Sequence, residues 1–196
     1  DEALDREWRR CQREQQPLTI MLVDVDCFKA YNDHYGHLQG DRCLQQLSNE
    51  LRRYGRRGGD VVARFGGEEF VLLYPGIADT EAQQLASRVC RSIRALAMPH
   101  ACNPGTGEVT VSVGVAVLTP SPKQTARALL DAADAEGAEM RRSLSRRQEE
   151  LSDHQSRLTG ATERLDLLRQ LEENHDGVAV GVQHVMQQAE QDPLIP

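Results

Sequence analysis

The feature that most constrains the fold is a continuous apolar run, LTIMLVDV at Leu18–Val25, which ends in carboxylates. An unbroken apolar run opened by a proline is typical of a buried strand. Asp24 and Asp26 are two positions apart, so they would project to the same face of that strand. We therefore predict a buried strand that carries acids to one edge of a sheet.

The remaining apolar patterns predict an α+β fold. Two short β-rich runs flank FGGEE, where paired glycines favour a two-residue hairpin turn. The stretch DCFKAYNDHYGHLQGD is predicted as a polar loop at the end of the first strand. The order strand, helix, hairpin, helix, strand, helix predicts a split β-α-β arrangement, an antiparallel sheet with helices on one face. The predicted helices cover 1–16, the Leu44–Leu51 region, 80–98 and 125–135, and the predicted strands cover 18–25, 60–64, 70–74 and 110–118.

Composition excludes several classes of protein. A net charge of -7 argues against a broad basic surface for duplex nucleic acid. No apolar run approaches the ~18 residues of a membrane span, and the charged N-terminus is unlike a signal peptide. The five cysteines are odd in number and contain no C-x-x-C pair, which argues against a disulfide framework or zinc site and favours a reducing cytosol.

Two pairs of acidic residues are candidates for a functional site. Asp24 and Asp26 beside a glycine-rich stretch suggest a hard divalent cation, although a hydrated strand end is the commoner explanation. Glu68 and Glu69 follow a tight turn, and because neighbouring strand residues face opposite ways, only one of them is expected to meet Asp24 directly. Taken alone, this second pair indicates only a hairpin.

Together, MLVDVDCFKAYNDHYGHLQGD and RFGGEEF resemble the GGDEF family of diguanylate cyclases. The resemblance implies a palm-like, ferredoxin-like sheet of the nucleotide cyclase type over residues 1–135, with the domain truncated at both ends. It also implies condensation of two GTP molecules into cyclic di-GMP and pyrophosphate. Because one domain holds one GTP, catalysis would need a homodimer.

The resemblance also assigns roles within the catalytic site. Two Mg²⁺ ions, or Mn²⁺, would serve each site through two carboxylates and one backbone carbonyl, with a further acid in support. The implied metal ligands are Asp24, Val25 and Glu68, and the supporting acid is Glu69. The guanine contacts are Asn32 and Asp41, and the phosphate contacts are Phe28, Lys29 and Arg141. Gly66 and Gly67 would let the backbone approach the nucleotide.

A second implied site would bind the product as an inhibitor. Arg57-Gly58-Gly59-Asp60 resembles the family's RxxD motif, in which arginine pairs with phosphate or guanine and aspartate fixes ligand donors. Arg88 on the following helix is a candidate for a second contact. As a bare four-residue pattern, the motif would indicate only a surface salt bridge.

The chain departs from the family after Ala135. Gly137 and Ala138 stand where the family has a Leu-Tyr pair, and Ser145 stands where it has a phosphate-binding arginine. Residues 136–196 are predicted as a helical, coiled-coil-like tail, because leucines recur every seven residues from Leu144 to Leu165. The segment Glu163–Met186 resembles the arm-to-hinge junction of structural maintenance of chromosomes proteins, with a break after Glu173, and this suggests a chimera.

Three functions remain open from the sequence. The chain is a diguanylate cyclase, with turnover weakened by the altered last helix; or a module that binds GTP or cyclic di-GMP without turnover; or a structural coiled-coil arm protein.

Overall fold

The computed structural model describes residues 2–191. Within them, the helices are α1 (Glu2–Glu14), α2 (Phe28–Tyr35), α3 (His37–Arg52), α4 (Asp79–Arg94) and α5 (Ala126–Gln191), and the strands are β1 (Leu18–Val25), β2 (Val61–Gly66), β3 (Glu69–Pro75) and β4 (Val111–Leu118).

The strands form one antiparallel sheet in the order β2-β3-β1-β4, which confirms the predicted α+β, ferredoxin-like class. Strand β1 has the predicted bounds and lies between β3 and β4. Its register places Asp24 opposite Glu69 on β3 and opposite Ser112 on β4. The end of β1 therefore meets residues from both neighbouring strands.

Helices cover both faces of the sheet, so the expectation of helices on one face is wrong. Met21, Val23 and Val25 pack into a core with α3 and α4. Leu18 and Ile20 point the other way and pack against α1 and α5. The run is continuous because both faces of β1 are buried.

The segment predicted as a polar loop is helical instead. Helix α2 occupies its first part, and α3 begins at His37. Phe28, Tyr31 and Tyr35 lie on one face of α2, with the rings of Phe28 and Tyr31 stacked at 5.9 Å between centroids. Their spacing of three and four residues is a helical signal that the polar residues between them obscured.

Helix α5 approaches β4 closely through two glycines. A Cβ at Gly114 would collide with the Ala133 carbonyl oxygen and lie 2.6 Å from the Gly137 nitrogen. Gly137 is buried, and the Glu136 carboxylate accepts a hydrogen bond of 2.9 Å from the Val115 N–H of β4. Gly137, which replaces a large residue of the family pattern, thus lies directly on the sheet.

The chain divides into two compact units, 1–148 and 149–196. In the second unit α5 continues through Asn174 and Gly177, so the predicted break there is wrong: each residue lowers helix propensity by at most about 1 kcal/mol, which does not end a helix. Leu158 and Leu165 are 68% and 54% exposed. The predicted boundary between residues 135 and 136 stays a prediction. No helix within residues 2–191 is both long and apolar enough to cross a membrane.

We predict that Gly114→Ala destabilises the first unit by about 1–3 kcal/mol, because the new methyl group would force the α5 backbone away from β4. Urea unfolding followed by circular dichroism measures the change. Gly58→Ala is the matched control, since its Cβ would meet nothing within 4 Å. Equal stability of the two variants would contradict the close α5–β4 contact.

Candidate active site

Asp24 lies at the penultimate position of β1, with a side chain 18% exposed. Burial raises the pKa of Asp24 to about 6, the Arg141 guanidinium opposes the rise, and Glu68 and Glu69 add to it. Asp24 thus lies close enough to both glutamates to be destabilised by their charges. Glu69 is its register partner, yet Glu68 has the larger effect of the two.

The turn of the β2–β3 hairpin consists of Gly67 and Glu68, since β2 includes Gly66 and β3 begins at Glu69. The hairpin itself is confirmed, but the turn does not consist of the glycine pair. Of the two glycines, Gly67 has a left-handed φ, at 48°, and Gly66 does not. The register shifts between Arg64 and Gly66, which is a β-bulge, and the Arg64 Nε donates 2.8 Å to the Gly67 carbonyl. This bond was not anticipated from sequence, and it fixes the turn that carries Glu68.

Arg141 on α5 lies close to the acid at the end of β1. Its guanidinium lies 3.6 Å from Asp24 Oδ2 and 3.8 Å from Asp134 Oδ1. The Arg141 side chain is 34% exposed, so solvent weakens the pair only in part. The structure therefore brings together four of the predicted site residues: Asp24, Glu68, Glu69 and Arg141.

A cavity of about 440 Å³ adjoins the Gly67–Glu68 turn and is lined by α2, α3 and β2. Asn32 Oδ1 is buried there without a hydrogen-bond partner among the described residues. Helix α3 comes so close that a Cβ at Gly40 would collide with this oxygen. The lining includes the predicted residues Phe28, Lys29, Asn32, Asp41, Gly67 and Glu68, together with Asp33, His37, Leu44 and Arg64.

Asp26 has a different environment from Asp24. Its Oδ2 accepts 2.6 Å from the Thr110 hydroxyl and its Oδ1 accepts 2.6 Å from the Ser112 hydroxyl. The Asp26 N–H donates to the Thr110 carbonyl at 3.0 Å, and Asn103 Nδ2 donates to the Thr110 hydroxyl at 3.0 Å. The Asp26 carboxylate thus joins the end of β1 to β4. These bonds fix the backbone at the two neighbours of Asp26, Val25 and Cys27.

The acids suit a hard cation. Carboxylate and carbonyl oxygens are the ligands that Mg²⁺ prefers, and a cation beside Asp24 would favour its charged form, which burial and two glutamates disfavour. Within residues 2–191, no group of three or more His, Cys, Asp or Glu could hold a metal ion alone. Two nearby carboxylates, on Asp24 and Glu68, are the kind of donor that Mg²⁺ commonly combines with nucleotide phosphate oxygens, so the residues present fit that ion.

A second cavity, of about 400 Å³, lies between the end of α3, the 56–60 loop and α4, and Arg57, Asp60 and Arg88 all line it. Arg57 Nη2 lies 3.5 Å from Glu81 Oε1 on α4. Asp60 Oδ2 accepts backbone N–H bonds of 3.0 and 2.8 Å from Arg56 and Arg57. The structure thus places the three residues of the predicted inhibitory site at one cavity.

The family described as "Diguanylate cyclase, GGDEF domain" matches residues 1–148. The matched range includes residues 136–148, although the resemblance to the family's motifs ends at Ala135. The chain is 36% identical over 119 residues to the probable diguanylate cyclase DgcC of Escherichia coli K12, covering 60% of this chain and 30% of that protein. It is 37% identical over 120 residues to diguanylate cyclase DgcZ of the same strain, covering 61% and 39%. The chain thus spans well under half the length of these relatives.

Solved structures of other proteins share the fold, among them the two that follow. The GGDEF domain of DgcB from Caulobacter crescentus, in complex with c-di-GMP, superposes with a TM-score of 0.65 at 25% identity, covering 73% of this chain and 82% of that one. Diguanylate cyclase SiaD from Pseudomonas aeruginosa, in complex with its activator SiaC, gives a TM-score of 0.64 at 36% identity, covering 72% and 53%.

We predict that Thr110→Val lowers the free energy of unfolding by about 1–3 kcal/mol, because the partly buried Asp26 carboxylate loses a donor. Thr110→Ser keeps the hydroxyl and should recover most of this loss. Urea unfolding of both variants tests the prediction. If valine were tolerated as well as serine, the hydroxyl bond to Asp26 would not contribute to stability.

Proposed function

Since the chain belongs to the GGDEF family of diguanylate cyclases, we propose that it condenses two molecules of GTP into cyclic di-GMP and pyrophosphate. The observation that carries the proposal is the convergence of Asp24 with Glu68 and Glu69 beside the 440 Å³ cavity. A partly buried acid beside two others favours a site for a cation over a hydrated strand end.

In this proposal the cavity binds one GTP. The Asn32 amide offers both an acceptor and donors to the guanine edge. The exposed Asp41 carboxylate can accept hydrogen bonds from the guanine N–H groups. Lys29 is close to the start of α2, where a cation and the helix N-terminus both favour phosphate. The backbone at Gly66 and Gly67 has no side chain to obstruct the nucleotide.

Asp24, the Val25 carbonyl and Glu68 would hold the metal, with Glu69 as a supporting acid. When bound, two Mg²⁺ ions, or Mn²⁺ in their place, would make the 3′-hydroxyl of one GTP more acidic and neutralise charge on the α-phosphate of the other. The Asp26 bonds to Thr110 and Ser112 support this role, since they fix the backbone beside Val25.

Arg141 stands where the family pattern has a phosphate-binding lysine. We assign it to the triphosphate. Its position 3.6 Å from Asp24 supports this role, because a cation already held at the acids needs only a short movement to reach a phosphate bound there.

The reaction needs two copies of the chain. The cavity and its acids are those of a single nucleotide site, and each GTP must present its 3′-hydroxyl to the α-phosphate of the other. A homodimer with two facing cavities meets this requirement, whereas a monomer would bind GTP without releasing cyclic di-GMP.

We assign the second cavity to the product as an inhibitor. Arg57 and Arg88 would contact its phosphates or guanines, and Asp60 would accept guanine N–H groups. In the free chain Arg57 pairs with Glu81, so a bound ligand has to compete with that carboxylate.

Two alternatives stay open as proposals. A module that binds nucleotide without turnover is favoured by Ser145, which stands where the family has a phosphate-binding arginine. A structural role for the tail, resembling the arm of chromosome-maintenance proteins, is supported by the uninterrupted α5 helix. Location in the cytosol likewise stays a prediction.

We predict that the purified chain with GTP and Mg²⁺ forms cyclic di-GMP, detected by mass spectrometry, and that Glu68→Gln lowers the rate at least about 100-fold, more than is typical when a group that merely orients a metal ligand is lost. The melting temperature should hardly change, because Glu68 lies in a turn. Glu14→Gln, on the exposed face of α1, is the control for loss of a carboxylate. Saturable GTP binding without product would favour the binding-module alternative, and full activity of Glu68→Gln would refute its role.

For the second cavity, we predict that Glu81→Gln tightens binding of added cyclic di-GMP by up to about fivefold, because an exposed ion pair that competes with the ligand is worth at most ~1 kcal/mol. Arg57→Ala should weaken binding at least about tenfold. Isothermal titration calorimetry measures the affinity of both variants. Arg91→Ala, on α4 like Glu81, is the control. Identical affinities in all variants would remove Arg57 and Glu81 from the product site.

A further inference from the structure

The second cavity contains a polar group that the assigned motif does not include. Tyr74, in β3, lines the cavity and is only 1% exposed. Its ring packs in the core between the sheet and helices α3 and α4, and its hydroxyl has no hydrogen-bond partner within the part of the chain that the structure describes. A buried hydroxyl without a partner is costly, so native proteins seldom retain one without a use.

Asp60 has the complementary deficiency. Its Oδ2 accepts two backbone N–H bonds, whereas its Oδ1 is buried and lacks a partner among the described residues. The cavity wall therefore holds one unpaired donor, on Tyr74, and one unpaired charged acceptor, on Asp60.

The sheet register brings these two groups together. Strand β2 pairs with β3 so that Val61 lies opposite Leu73. Asp60 directly precedes Val61 and Tyr74 directly follows Leu73, so both residues lie at this end of the ladder, where both line the cavity. The Asp60 charge also raises the pKa of the Tyr74 hydroxyl, in addition to the larger effect of burial, which agrees with this proximity.

We propose that Tyr74 is a positioning residue for Asp60, whose Oδ1 accepts the Tyr74 hydroxyl when the cavity holds its ligand. An ionised carboxylate has about four lone-pair sites. Two backbone N–H groups and the tyrosine occupy three of them, which leaves one on Oδ1 for a ligand N–H. The ligand class is a guanine nucleotide with phosphates for Arg57 and Arg88. This inference rests on the proposed product site, but not on turnover.

The test is a double-mutant cycle on the full chain, with added cyclic di-GMP and calorimetric affinities. Tyr74→Phe keeps the ring and removes the hydroxyl, so binding should weaken about tenfold. In an Asp60→Asn background, Tyr74→Phe should change the affinity less than about twofold, because tyrosine acts through the carboxylate. Tyr35→Phe is the matched control. It also removes a tyrosine hydroxyl, one that lies outside this cavity and accepts the Ala101 N–H.

An unchanged affinity for Tyr74→Phe overturns the proposal, as does an equal loss in both backgrounds, which would indicate core packing alone. If Asp60→Asn abolishes binding, the ¹³C resonance of the Asp60 carboxyl at ligand saturation decides instead: it should move in Tyr74→Phe, and an identical resonance refutes the contact. Failure of Arg57→Ala to weaken binding removes the site and the proposal with it. Absence of GTP turnover would sink the cyclase assignment only, since the ligand is added.

Discussion

The hydrogen bonding of β1 to strands on both sides is the constraint on which the rest of the structure depends. Because β1 lies between β3 and β4, both of its faces are covered, and its alternating side chains supply two cores. Only the end of the strand is left for charge. The same register that aligns the cores sets Asp24 opposite Glu69 and Ser112. Placement of the acids is thus a consequence of how the hydrophobic strand pairs.

The charge of Asp24 at that strand end is balanced by a cation on helix α5. Burial and the glutamates disfavour the charged form of Asp24, and Arg141 partly compensates. Arg141 can reach Asp24 because α5 packs against β4 through Gly114 and Gly137. Large side chains at these positions would hold the helix farther away. The replacement of the family's Leu-Tyr pair is therefore compatible with a packed core, in which a close glycine contact takes the place of large side chains.

The sequence predicted most accurately those features that a local pattern of residues determines. The bounds of β1, the hairpin and the acids at the strand end follow from apolar runs and glycines. Helix α2 was missed because polar residues separate its aromatic face. Contacts between distant segments had no local signal: the Thr110 and Ser112 hydroxyls reach Asp26 across more than 80 residues. Tyr74 was missed for the same reason, since its role depends on the strand that lies opposite.

The hairpin carries parts of both sites, yet it also keeps them apart. Glu69 begins β3 beside the acids, and Tyr74 lies five residues further along, beside the second cavity. At about 3.3 Å per residue, these positions are roughly 17 Å apart. Groups separated by more than about 10 Å with no shared partner contribute additively. A substitution at the Tyr74 end can therefore leave the geometry of the acids at the other end unchanged, so the proposed inhibition and the proposed turnover should be separable by substitution.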